Sequence, residues 1–161
     1  MWELINSLNR ERSFIMKREL TMDFLFEQQI TIEIDPNEKT GYKIMHFSQN
    51  KNVKEMSWKK INPSLSKRYH RISGNTLKYY VVSWSDYRNS GRSYTFPLSR
   101  LVYLYFNHLS SLPTNMDVDH INGDSLDNRL ENLQLLSRHD NLAKRYCGLN
   151  CNQYTCTKES K

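Results

Sequence analysis

A chain of 161 residues has room for one domain, or for a small catalytic module with an arm in front of it, but not for two independent cores. Hydrophobic residues make up 38% and aromatics 12%, ten of them tyrosines, and the net charge of +6 suits a polyanionic partner without naming one. No apolar run approaches the ~18 residues of a membrane span. An odd set of cysteines crowded at the end (Cys147, Cys151, Cys156), with no leader sequence, speaks against a secreted disulfide scaffold, so a soluble cytoplasmic protein is expected.

In chain order, residues 1–28 place Trp2, Leu4, Ile5, Leu8, Ile15, Met16 and Leu20 at loosely helical spacing, which predicts one or two short helices. Gln29 to Asp35 alternates and is rich in Ile and Thr, the pattern of a strand stopped by Pro36-Asn37. Tyr42 to Phe47 is a second short strand. Residues 1–40 carry a net −3 and residues 41–111 a net +10, so the basic excess belongs to the middle third. Within it, residues 49–66 are polar and interrupted by Pro63, and read as a connecting or DNA-facing segment. The alternative for the whole stretch is an ordinary solvated basic face.

Lys78 to Trp84 is strongly β-prone and is expected to pair with Ser93 to Phe96 through a turn at Asn89-Ser90-Gly91. Pro97 then precedes a helix with Leu98, Leu101, Val102, Leu104, Tyr105 and Leu109 along one face. From Met116 onward the expected order is strand (Asp117 to Ile121), turn at Gly123-Asp124, a loop or single helical turn over Asn128 to Glu131, strand (Leu133 to Leu136) and helix. Ser137 starts that helix, with Asp140 three residues on as a capping partner.

This last stretch is specific. The run VDHINGD, followed by DNRLENLQLLSRHDN, resembles the HNH homing endonuclease family, whose fold is the ββα-metal motif. The likeness is close over about residues 98–145 and does not reach residues 1–68. It implies an α+β fold in which a β-hairpin and a helix lead into a C-terminal ββα-metal motif. The chain would then divide into an N-terminal arm and basic region (1–68), the HNH domain (69–146) and a tail (147–161). By the same resemblance His120 is the general base, Asp119 and Asn141 are metal ligands, Asn132 secures the strand and the imidazole, and Asn128 shapes the loop. The implied cofactor is Mg²⁺ or another divalent cation such as Mn²⁺. The implied substrate is double-stranded DNA, nicked or cut through by a phage or intron enzyme, with no membrane or small-molecule partner.

The chemistry is consistent with that division. Imidazole, with an ordinary pKa of ~6.5, is neutral often enough near pH 7 to accept a proton. One carboxylate and one amide oxygen form a sparse oxygen site, which Mg²⁺ accepts because it keeps waters and takes phosphate oxygens. Neighbouring strand residues face opposite ways, so Asp119 next to His120 implies that the strand ends or twists there. Plainer roles exist for each residue taken alone. Asp119 and Asp124 are turn formers, Asn128 and Asn132 are caps, and Asn141 is a poor helix former that costs a few tenths of a kcal/mol. His139 reads as a surface or phosphate contact, and His46, His70 and His108 as structural. The cysteine spacing reads as free thiols, with zinc as the alternative.

For DNA, the segment from Lys51 to Arg71 (Lys59, Lys60, Lys67, Arg68 and Arg71) and the hairpin bearing Arg88 and Arg92 are the expected phosphate contacts, because a two-stranded ribbon fits a major groove. Trp58, Tyr69, Tyr79, Tyr80 and Trp84 interleave with them and are expected mostly in the core. Two other functions remain open on the same fold: a catalytically silent DNA-binding module and a viral accessory protein.

Overall fold

The computed structural model describes residues 19–49, 55–69, 76–86 and 91–147. Thr21 opens the first helix, α1 (Met22–Glu27), by accepting a hydrogen bond from the Phe24 N–H at 3.1 Å. Phe24 and Leu25 are the buried face of this short helix. The Phe24 ring lies 5.0 Å from Tyr94 and 6.0 Å from both Trp84 and Phe96, so α1 is held by aromatic packing. Gln29, in a left-handed conformation (φ 52°), then turns the chain into the first strand. Expected helical positions before residue 19 lie outside the described residues.

Strands β1 (Ile30–Ile34), β2 (Tyr42–Gln49) and β3 (Met56–Ile61) form an antiparallel sheet in that order. Ile32 faces Ile44 across β1 and β2, and both are buried, as the alternating Ile and Thr pattern requires. A second antiparallel sheet runs β4 (Ser64–Tyr69), β5 (Thr76–Asp86), β6 (Arg92–Pro97). β5 pairs with β6 as expected, with Trp84 opposite Tyr94, while Asn89 and Ser90 of the expected turn lie outside the described residues.

Of residues 49–66, expected as a connecting or DNA-facing segment, 50–54 lie outside the described residues and the rest are mostly strand. They contain β3 and the start of β4, each at the edge of its sheet. An edge strand with little buried surface needs no apolar alternation, and its main-chain bonds to β2 or β5 are enough to order it. Hydrophobicity is therefore silent about such strands.

The helix after Pro97, α2 (Leu98–Phe106), is the centre of the core. Leu98, Leu101, Val102 and Leu104 have no exposed surface at all. It stops three residues before Leu109, where its apolar pattern ends. His108 takes a left-handed conformation (φ 52°), and the Leu109 N–H reaches back to the Leu104 oxygen at 3.1 Å, closing the last turn.

The final unit is β7 (Met116–His120), a 3₁₀ turn (Leu130–Asn132), β8 (Leu133–Ser137) and α3 (Arg138–Cys147). β7 and β8 pair antiparallel, with Asp119 opposite Gln134 and His120 opposite Leu133. Ser137 and Asp140 cap α3: the Asp140 N–H donates to the Ser137 hydroxyl (3.1 Å), which donates to the Asp140 carboxylate (2.7 Å). The fold is the expected α+β arrangement of small sheets and helices. Leu20, Phe24, Leu25, Ile30, Ile32, Tyr42 and Ile44 belong to the same core cluster as α2 and Leu133. Residue 68, the expected domain boundary, lies inside β4.

Candidate active site

The two faces of β7 divide the site. Asp117 and Asp119, two residues apart, share a face, and His120 belongs to the other. α3 meets the aspartate face with Asn141 and Lys144, one helical turn apart. The Asn141 amide donates to Asp117 Oδ2 at 3.3 Å, and Lys144 Nζ donates to Asp119 Oδ2 at 2.6 Å. Gln134, the cross-strand partner of Asp119, adds a third contact from Nε2 at 3.0 Å. Asp119 and His120 thus work on opposite sides of a strand that ends at His120, as their adjacency requires.

Beyond His120 the chain turns sharply. The Gly123 N–H donates to the His120 oxygen at 3.0 Å, and Gly123 has a φ of 77°, a conformation that a side chain would strain. The loop that follows is held by asparagines. His120 Nε2 lies 3.3 Å from Asn128 Oδ1, while the Asn128 amide nitrogen donates to the Leu126 oxygen at 3.1 Å. Asn132 does something different. Its Oδ1 accepts from the Asn122 N–H at 3.0 Å, and its Nδ2 donates to Asn122 Oδ1 (3.0 Å) and to the Asp127 oxygen (2.7 Å). The Asn132 main-chain oxygen also accepts from the Ile121 N–H at 2.8 Å, securing the end of β7.

The expected division between these two asparagines is therefore changed at the imidazole. Asn132 does secure the strand, but the side chain beside His120 is that of Asn128. The 3₁₀ turn at Leu130–Asn132 aims the Asn132 amide at Asn122, leaving Asn128 to face the strand end. Both asparagines are buried, so each amide needs its partners. Asp127 completes the loop. Arg129 donates to it from both Nε (2.9 Å) and Nη2 (2.8 Å), and this pairing holds its carboxyl down at about 2, well below the usual carboxylate range.

The structure thus gathers Asp119, His120, Asn128, Asn132 and Asn141 around one strand end. It adds three residues that the sequence reading missed: Asp117, Gln134 and Lys144. Two of them leave a trace in the sequence, Asp117 two residues before Asp119 and Lys144 three residues after Asn141. Gln134 is set only by strand register.

The basic residues scatter more. Lys67 and Arg68 are exposed on β4, and Arg92 is exposed at the start of β6. Lys59 is half-buried on β3, and Lys60 is engaged by Glu38 in an ion pair. Arg71 and Arg88 lie outside the described residues. Trp58 and Tyr69 are exposed at 51% and 65%, against the expectation of core positions, because among the described residues no layer covers the edge strands β3 and β4 there. Trp84 is buried, as expected. Ser125, in the site loop, donates its hydroxyl hydrogen to the Lys78 main-chain oxygen and so ties the start of β5 to the site. His139 is exposed, as expected.

Among the described residues, no three His, Cys, Asp or Glu side chains converge as a metal cage. The oxygens nevertheless suit a hard cation. The Lys144 ammonium lies 2.6 Å from Asp119 Oδ2, 2.6 Å from the His120 oxygen and 3.1 Å from the Ile121 oxygen. An oxygen pocket that holds one cation fits the sparse donor set that Mg²⁺ or Mn²⁺ uses.

A two-stranded sheet backed by a helix, with carboxylates facing that helix and a histidine at the strand end, is the arrangement that the sequence resemblance implies for this stretch. Residues 98–143 match the family model described as HNH endonuclease. Comparisons with curated proteins and with solved structures find no match.

Proposed function

We propose that this protein is a metal-dependent endonuclease that hydrolyses phosphodiester bonds in double-stranded DNA, of the phage or intron homing type and acting in the cytoplasm. The observation that carries this reading is the pairing of His120 with Asn128 on one side of the β7 end, with Asp119 on the other side, where α3 brings up Asn141.

Asn128 Oδ1 can only accept, so the hydrogen bond puts the imidazole proton on Nε2. Nδ1 is then the basic nitrogen, free to take a proton from an attacking water. Because Asn128 is itself anchored to the Leu126 oxygen, the ring is held in one orientation and tautomer. Asp119 and Asn141 would hold the metal, with Asp117 next to the Asn141 amide. What a divalent ion held by these residues would supply is Lewis-acid polarisation of the scissile phosphate and charge stabilisation of the leaving oxygen. Lys67, Arg68 and Arg92 supply cations for the DNA backbone.

Relaxation of a supercoiled plasmid with Mg²⁺ tests the reading. Wild type should convert the plasmid, EDTA should stop conversion, and His120→Ala should lower the rate by at least ~10²-fold, the usual scale for a general base. The ion pair between Lys144 and Asp119 favours a second reading, a DNA-binding protein on this fold that does not cut. Plasmid bound but left intact across Mg²⁺, Mn²⁺ and Ca²⁺ is the result that selects it.

A further inference from the structure

We infer that Lys144 is a resident counter-cation of the metal site, and that a divalent ion binds only by displacing its ammonium from Asp119. The inference rests on the metal role of Asp119 proposed above.

Both hydrogen bonds to the Asp119 carboxylate converge on Oδ2, from Lys144 at 2.6 Å and from Gln134 at 3.0 Å. Two donors occupy the lone pairs of that oxygen, so it has no orbital left for a metal while both remain. A cation at the other carboxylate oxygen would still face the ammonium a few ångströms away. With side-chain exposures of 13% and 15%, solvent screens that repulsion weakly. The ammonium is also anchored by the His120 and Ile121 oxygens, the main chain at the strand end itself. Lys144 therefore has a seat of its own, built from one carboxylate and two carbonyls.

In the DNA-free protein this contact neutralises Asp119 and keeps metal affinity low. When DNA arrives, its phosphates supply both an oxygen ligand for the metal and an anion for the released ammonium. Metal loading is thereby coupled to substrate. Lys144 lies immediately beyond the residues that match the family model, so the assignment comes from the geometry alone.

Binding of Mn²⁺ to the full DNA-free chain, followed by the electron paramagnetic resonance signal of free Mn²⁺, tests this without reference to cleavage. Lys144→Met removes the ammonium. Lys144→Gln removes the charge but keeps an N–H donor for the His120 and Ile121 oxygens, and it decides the matter if the methionine variant does not fold. Both variants should bind Mn²⁺ roughly tenfold more tightly than wild type, the scale of losing one charge-assisted competitor. Asp119→Ala should abolish binding. If the lysine variants bind no more tightly than wild type while Asp119→Ala abolishes binding, the counter-cation role is overturned and the metal site stands. If neither wild type nor the lysine variants bind Mn²⁺, both fall.

Discussion

The Tyr42 hydroxyl donates a hydrogen bond to the main-chain oxygen of Asn128 across 3.1 Å, joining β2 to the loop that holds His120. Tyr42 is buried beside Phe106, and burial pushes its phenol above the ordinary range, so it remains a donor throughout the neutral range. The residue whose side chain touches the imidazole is thus positioned from the first third of the chain.

Tyr42→Phe leaves the Asn128 oxygen buried without this donor. The expected loss is about 1–2 kcal/mol, or roughly 2–4 °C in melting temperature for each kcal/mol in a chain of this size. A thermal melt measures it, and an unchanged melting temperature would show that the contact contributes nothing.

Asn128 and Asn132 should fail differently. Asn132→Ala removes three side-chain hydrogen bonds from the loop and should cost at least about 2 kcal/mol in urea unfolding. Asn128→Ala frees the imidazole, so its cleavage rate should fall further than its stability. Equal ratios of rate loss to stability loss in the two variants would refute separate roles.

Asp127 gives the loop a pH dependence with a definite sign. Its carboxyl is held at about 2 in the folded protein against 3.8 ordinarily, so its contribution is complete above pH ~4 and lost as the pH falls toward 2. Melting temperatures measured from pH 6 down to pH 2 should drop less steeply in that window for Asp127→Asn, which has no carboxylate to protonate. Parallel curves would mean that the pair with Arg129 does not stabilise the loop.

DNA binding should separate the lysines by their partners. Lys67→Ala with Arg68→Ala removes two exposed cations and should flatten the slope of log affinity against log salt by up to ~1.8, at ~0.9 per phosphate contact. Lys60→Ala should change it less, because Glu38 already engages that ammonium. Fluorescence anisotropy at several salt concentrations reads both, and a larger effect from Lys60 would reverse the assignment.

What the sequence determined by itself was the framework of residues 116–147 and the packed face of α2. Alternation, the Gly123 turn, the Ser137 cap and the Leu98–Leu104 face are local patterns with local causes, and their order matches a known motif. Edge strands β3 and β4 were not legible, because a polar strand is ordered by its neighbour's main chain and not by its own periodicity. Which asparagine reaches His120 was not legible either, since both lie in one loop and only the 3₁₀ turn decides where each amide points. Lys144 on Asp119 and Tyr42 on Asn128 required the tertiary structure outright. They join residues 25 and 86 positions apart, a proximity that strand pairing, helix docking and a shared core create and that no local pattern encodes.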